Sequence, residues 1–211
     1  GTRVDETGKH TGFLNGVAVL SVSAYCASLA RDLKPETPYA PVQADEFEEG
    51  TFIGIRDAMS KCVKCHGETG NAGSSSMPNL TGQHPDYFVS SMMGYLDGSR
   101  NHRLMKKLAG SLDEVTLRDM GVFYAVQKPV RTETPGAGDV NVGRRLSAPC
   151  SSCHGVEGNA NKAAMTTLAG QGAKYFIKAM KQYKDGKRLH HKMFDSAVDL
   201  TEQDKGDIAK N

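Results

Sequence analysis

Apolar residues recur at helical spacing along the 211-residue chain. Phe52, Ile55, Met59 and Cys62 follow one another at intervals of three or four residues, which predicts one helix. A second apolar stripe predicts another helix over residues 85–96. No stretch alternates apolar and polar residues as a half-buried strand would. We therefore expect an all-α fold.

A third helix is predicted after residue 110. Ser111 and the glutamate three residues later fit a capping box, and Asp113 is an alternative cap. This helix is expected to run to about Gln127 and to end before Pro129. Residues 67–78 are rich in Gly, Ser and Asn and predict a loop.

The same pattern occurs twice. Residues 62–66 read CVKCH, and 88 positions later residues 150–154 read CSSCH. The match continues without a gap through Gly67 and Gly155, Gly70 and Gly158, Leu80 and Leu168, Gly82 and Gly170, Gln83 and Gln171, Tyr87 and Tyr175, Tyr95 and Tyr183, Arg100 and Arg188, Met105 and Met193, and Leu112 and Leu200. Such a repeat predicts two copies of one structural unit.

We name residues 45–133 the first module and residues 134–211 the second module. A Pro- and Gly-containing linker over 128–141 joins them, and the last helix of the second module is expected to be cut short. Residues 1–44 form an N-terminal extension. A weak match to residues 112–125 makes the last helix of a preceding module, followed by a linker, one interpretation of this extension.

Cys-x-x-Cys-His is the attachment pattern of c-type haem. Cys62 and Cys65 can add to the two vinyl groups of one porphyrin as thioethers, and His66 then becomes the proximal iron ligand. Cys150, Cys153 and His154 repeat this arrangement in the second module, so we expect two covalent haem c groups with iron. The alternatives are a redox pair, a disulfide and a zinc ribbon. A zinc ribbon places its second pair only about 15–20 residues after the first.

The sixth iron ligand must be sought at equivalent positions of both modules. Met105 and Met193 qualify, each 39 residues after its histidine, and a thioether ligand would raise the reduction potential. Three other sets compete: Met77 with Met165 fit apolar packing on the haem edge better, Met92, Met93 and Met180 fit the helix core, and His102 with His190 would give bis-histidine ligation.

Composition restricts the function classes. The formal net charge of +2 gives no reason to expect a nucleic-acid partner. Aromatic residues are only 7% and Trp is absent, so each module has a thin core that a large planar cofactor would complete. Because bacteria attach haem c outside the cytoplasm, we expect a periplasmic or cell-surface protein. Cys26 lies outside both motifs and is expected to be buried as a small apolar side chain rather than to bind iron.

Both modules resemble the cytochrome c4 family over roughly residues 45–211. The motif residues, residues 78–83 (PNLTGQ), Gly98, Arg100 and Met105 carry the resemblance. It implies tandem class I cytochrome c domains, each wrapped round one haem, with His66/Met105 and His154/Met193 as axial pairs. It also implies a polar interface between the modules, to which Tyr87, Tyr175, Arg100 and Arg188 would contribute.

One position departs from the family pattern. In class I cytochromes the carbonyl of a loop proline orients the proximal histidine. Pro78 fits this role in the first module, but the second module has Thr166 there. The resemblance therefore predicts the orientation of His66 but leaves that of His154 open.

The expected function is single-electron transfer rather than catalysis. The donor would be a quinol-oxidising complex or a dehydrogenase, and the acceptor a terminal oxidase or reductase, with membrane association only through such a partner. One alternative is a dihaem enzyme, a peroxidase or a sulfur-compound oxidase, which needs an open iron. Another is a subunit or domain of a larger multi-haem assembly.

Overall fold

The computed structural model describes residues 53–130, 138–160, 162–163 and 165–210. Within these ranges every named element is a helix, which confirms the all-α prediction. The N-terminal extension and Cys26 lie outside the described residues, as does the middle of the linker, residues 131–137. Among the described helices none combines the length and the apolar character that crossing a bilayer requires.

The first module contains four helices: α1 (Ile53–His66), α2 (Pro85–Asp97), α3 (Arg103–Ala109) and α4 (Glu114–Val126). Helix α2 packs against α3 and α4, and α1 packs against α4. The apolar stripes predicted for α1 and α2 line one core, whose buried members are Ile55, Met59, Phe88, Met92, Ala109, Leu117, Met120, Phe123 and Tyr124.

Local hydrogen bonds explain where these helices begin. The Nδ1 atom of His84 accepts the N–H of Asp86 at 3.2 Å and caps α2, which begins at Pro85. Asp113 caps α4, because its Oδ1 accepts the N–H of Thr116 at 2.8 Å. Of the two predicted caps Asp113 is confirmed and the capping box at Ser111 is wrong, because Ser111 donates its hydroxyl to a carbonyl of the preceding turn.

The second module follows the same order with one break. Its elements are α5 (Val140–Ser147), a 3₁₀ turn (Ala148–Cys150), α6 (Ser151–His154), a 3₁₀ turn (Val156–Gly158), α7 (Ala173–Lys184), α8 (His191–Ala197) and α9 (Glu202–Lys210). Helix α1 is continuous up to His66, whereas its counterpart is divided at Pro149. Proline lacks the N–H that an interior helical position donates, so the division follows from the sequence.

The second module is closed by contacts between its first and last helices. Helix α9 packs against α5 and α7. Asp139 caps α5 through its side chain, and its own N–H donates to Oδ1 of the buried Asp207 at 2.8 Å. A Cβ on Gly138 would lie 2.8 Å from the carbonyl oxygen of Gly206, so the chain approaches α9 closely here. Helix α5 begins at Val140, so the linker ends two residues earlier than predicted.

Candidate haem-binding site

Each Cys-x-x-Cys-His motif lies at the C-terminal end of a helical segment. Cys62, Cys65 and His66 occupy the last turn of α1, so the two cysteines share one helix face. Cys150 ends the 3₁₀ turn before α6, which contains Cys153 and His154. All four thiols are half-buried, and both histidines are buried with 8% of their surface exposed.

The two histidines are held in the same way. Nδ1 of His66 lies 2.9 Å from the carbonyl oxygen of Pro78, and Nδ1 of His154 lies 2.9 Å from that of Thr166. Because a carbonyl only accepts, Nδ1 carries the proton and Nε2 keeps its lone pair. The exchange of proline for threonine therefore leaves the contact intact, since the backbone oxygen makes it.

The environment of His66 favours its neutral form. Burial lowers the pKa of His66 most, the bond to Pro78 opposes this, and the nearby charge of His102 lowers the pKa further. A neutral imidazole is the form that binds a metal.

Met105 is the third residue of α3, in its first turn, and Met193 occupies the same place in α8. Both are half-buried, and Met105 packs against the same core cluster as Cys62. The core thus joins the motif end of α1 to the start of α3.

His102 and His190 cap the helices that carry these methionines. Nδ1 of each histidine accepts the N–H of the methionine three residues later, at 3.3 Å in both modules. Both histidines are exposed, and the ring of His102 meets Tyr95 edge-on. Their common position is thus explained by helix capping.

The remaining methionines divide between core and surface. Met92 and Met180 are buried, as predicted. Met93 was predicted in the core as well, but 45% of its surface is exposed because it lies on the outer face of α2. Met77 is 40% exposed and Met165 is half-buried.

The described residues argue against a disulfide and against a zinc ribbon at the motifs. The four motif cysteines are unpaired thiols, so neither pair forms a disulfide. Among the described residues no three His, Cys, Asp or Glu side chains converge as a metal site would require, whereas a zinc ribbon gathers four ligands. Paired thiols, an imidazole and a thioether match the requirements of covalent haem instead.

The two modules contact each other through a pseudo-twofold arrangement. Arg100 and Arg188 form an antiparallel β-bridge. The N–H of Asn101 donates to the carbonyl of Lys187 at 3.0 Å, and the N–H of Leu189 donates to that of Ser99 at 2.7 Å. Adding 88 to the numbers of Ser99 and Asn101 gives Lys187 and Leu189, so the two bonds are equivalent and the same backbone segment of each module meets the other.

The side chains of the two bridge residues bind tyrosines of their own modules; Arg188 is buried and Arg100 is half-buried. Arg100 donates to the hydroxyl of Tyr87 at 3.0 Å, and Arg188 donates to that of Tyr175 at 2.8 Å. Each guanidinium also lies over its tyrosine ring, 5.5 Å and 5.4 Å from the ring centroid. The expected interface role of these four residues therefore agrees with their placement. Among the described residues neither arginine has a carboxylate partner, so this contact can accept an anionic group such as a haem propionate.

Two glutamines complete the contact, and their role was not predicted from the sequence. Gln83 bonds both backbone groups of Thr167, and Gln171 bonds both backbone groups of Asn79. Their only signal was coincidence under the 88-residue shift, which shows equivalence but not the surface that each side chain faces.

The comparisons with known proteins agree with this geometry. Cytochrome c-554(548) of Halomonas halodenitrificans is 37% identical over 82 residues, which are 37% of this chain and 99% of the relative. Cytochrome c4 of Thiocapsa roseopersicina is 28% identical over 151 residues, 65% of this chain and 76% of the relative. The chain belongs to the dihaem cytochrome c4 family. It is accordingly an electron-transfer protein that uses haem c, and the family is periplasmic.

Structural comparison agrees with the family assignment. The solved cytochrome c4 of Acidithiobacillus ferrooxidans matches with a TM-score of 0.65 and 26% identity, over 72% of this chain and 96% of that one. The tandem cytochrome c fold expected from the sequence is thus confirmed. A further relative is named a thiosulfate dehydrogenase electron acceptor, from Thiomonas intermedia, and is 28% identical over 142 residues, 61% of this chain and 65% of the relative. No protein-family model matches the chain.

Proposed function

We propose that this cytochrome carries two haem c groups, one in each module. Cys62 and Cys65 hold the first through thioether bonds, and Cys150 and Cys153 hold the second. The observation that supports this is the equivalence of the two motifs in space: each ends a helical segment and each is followed by a histidine fixed at 2.9 Å to a loop carbonyl. A single motif would lack this internal control.

We further propose His66 with Met105, and His154 with Met193, as the axial ligands. The support is that Met105 is half-buried against the core that also contacts Cys62, while the ring nitrogen Nδ1 of His102 is engaged in capping. The chemistry that the haem irons supply is reversible one-electron oxidation. The chain's own part is to keep each imidazole oriented, to present a soft thioether and to exclude water. With both axial positions taken, neither iron offers a substrate site.

The module boundaries are part of the same proposal. We infer that residues 45–133 and 134–211 each fold round one haem, with residues 1–44 as an extension. The separate helix sets, α1 to α4 and α5 to α9, support this division. Electrons would come from a periplasmic dehydrogenase or a quinol-oxidising complex and pass to a terminal oxidase or reductase. A relative named a thiosulfate dehydrogenase electron acceptor favours a dehydrogenase donor.

Three measurements test the proposal, on the purified holoprotein and on one variant. Its mass should exceed that of the polypeptide by two haems, and haem staining of denaturing gels should persist in a Cys62→Ala/Cys65→Ala variant, through the second module alone. The ferrous protein should not bind carbon monoxide. A single haem would refute the stoichiometry, and rapid carbon monoxide binding would favour a substrate-binding haem and hence an enzyme.

A further inference from the structure

The side chain of Gln171 makes two hydrogen bonds to the backbone of the first module. Its Oε1 accepts the N–H of Asn79 at 3.1 Å, and its Nε2 donates to the carbonyl of Asn79 at 2.6 Å. Gln83 makes the matching contact in the opposite direction: its Oε1 accepts the N–H of Thr167 at 3.0 Å, and its Nε2 donates to the carbonyl of Thr167 at 2.7 Å. Each glutamine thus binds a loop of the other module.

Asn79 and Thr167, which the glutamines bind, directly follow Pro78 and Thr166, whose carbonyl oxygens bind the histidines. The carbonyl of Pro78 and the N–H of Asn79 belong to one planar peptide unit. This unit accepts the Nδ1–H of His66 on its oxygen and donates its N–H to Gln171. An acceptor on the N–H side polarises the peptide and makes its oxygen a stronger acceptor, because successive hydrogen bonds reinforce each other.

The second module repeats this chain of bonds. The peptide unit between residues 166 and 167 accepts the Nδ1–H of His154 and donates its N–H to Gln83. One difference exists: the hydroxyl of Thr166 also donates to Oε1 of Gln83 at 3.0 Å, and Pro78 has no such group. The oxygen of Gln83 is therefore shared between two donors.

We propose that Gln83 and Gln171 are crossed positioning residues, each of which sets the orientation and basicity of the proximal histidine in the opposite module. A stronger acceptor at Nδ1–H gives the imidazole more imidazolate character, and a more basic ligand favours ferric iron. The interface thereby links each haem to the other module. The inference rests on the proposed role of His66 and His154 as iron ligands.

The test uses the full-length holoprotein and Gln→Met variants, which keep the volume but remove both hydrogen-bonding groups. Gln83→Met should raise the potential of the second haem, and Gln171→Met should raise that of the first. Each change should shift the ferric–ferrous equilibrium of that haem by about tenfold. This is the lower limit of the effects that follow when a hydrogen bond orienting a metal ligand is lost. Gln203→Met is the control, because its amide contacts only Asp207 among the described residues.

A milder variant should shift the potential of the second haem in the opposite direction. Thr166→Val removes the hydroxyl that shares Oε1 of Gln83, so the N–H of residue 167 should be bound more strongly and the potential of the second haem should fall. The Nδ1–H proton resonances of the axial histidines provide a second readout. The resonance of His154 should move in the Gln83 and Thr166 variants, and that of His66 in the Gln171 variant.

The outcomes are distinguishable. A shift confined to the haem of the substituted module, or equal shifts of both haems, would overturn the crossed arrangement, and so would a fall of the second potential in Gln83→Met. A Met105→His variant shows which measured potential belongs to the first haem, because bis-histidine ligation lowers the potential of that haem alone. If that variant leaves both spectrum and potentials unchanged, the proposed axial ligands fail, independently of the glutamines.

Discussion

Arg100 and Arg188 face each other as the paired residues of one antiparallel bridge between the two modules. Each guanidinium is tied to a tyrosine of its own module. Burial lowers the pKa of Arg188, but its interactions with Tyr175 and Tyr183 outweigh burial and leave the pKa raised, while the like charge of Arg100 opposes this. Arg188 is buried and Arg100 is half-buried, so two like charges this close need a compensating anion, because a buried charge without a partner is costly. Haem propionates, if bound near this contact, would supply such charge.

Arg188→Gln tests this electrostatic arrangement. Removing a buried positive charge should favour the ferric state and lower at least one of the two potentials, as a redox titration followed by visible spectroscopy would show. Arg118→Gln is the matched control, since Arg118 lies on the surface in an ion pair with Glu114 and should leave both potentials unchanged. Equal effects of the two variants would contradict a local role for Arg188.

Met105→Ala distinguishes the two candidate axial ligands. It should leave haem attached, lower the potential of the first haem and open that iron to carbon monoxide, because the soft ligand is lost. His102→Asn should preserve the visible spectrum, because asparagine also caps helices. Bis-histidine ligation requires the opposite pair of results. Met193→Ala and His190→Asn repeat the comparison in the second module.

The sequence predicted the elements whose determinants are local. The stripe before Cys62 and the repeat at 88 residues located the helices and both motifs, because helical spacing and attachment chemistry depend on nearby residues. It failed where a side chain faces something distant in sequence. Met93 shares a helix with core residues but points outwards, and Gln171 meets a backbone 92 positions away. Composition and periodicity do not predict contacts between residues that are far apart in the sequence.

Gly172→Ala should loosen the contact between the modules. A Cβ at this position would lie 2.5 Å from the carbonyl oxygen of Ser75, and its backbone φ of −64° suits alanine, so the expected damage comes from the contact alone. The displaced segment would lose the bond from the N–H of Tyr175 to that oxygen, 2.8 Å long. We expect a larger radius of gyration by small-angle scattering and separate unfolding transitions for the two modules.

Gly54→Ala is the control for that substitution. Gly54 lies within α1, and nothing approaches its Cβ position within 4 Å. Alanine there should be neutral or stabilising by up to about 1 kcal/mol, because it restricts the unfolded chain and favours the helix. An unchanged radius of gyration in both variants would show that Gly172 does not set the distance between the modules.

Lys205→Leu should stabilise the second module. Lys205 is 2% exposed and occupies the position of Leu117, which is 1% exposed in the core of the first module. Among the described carboxylates only the exposed Glu202 forms a close ion pair with its ammonium, and Asp185 acts from farther away, so burial is incompletely compensated. We expect the midpoint of thermal unfolding of the holoprotein to rise by about 4 °C or more, the change that ~1 kcal/mol produces in a domain of this size.

The reciprocal substitution supplies the control. Leu117→Lys should lower the unfolding midpoint of the first module by more than Lys205→Leu raises that of the second, because it removes packing and buries a charge without a partner. Circular dichroism reports the helices, and haem absorbance reports whether the cofactor pocket unfolds with them. A lower midpoint for Lys205→Leu would show instead that the second module depends on this ammonium, since only a specific favourable contact outweighs the cost of burying it.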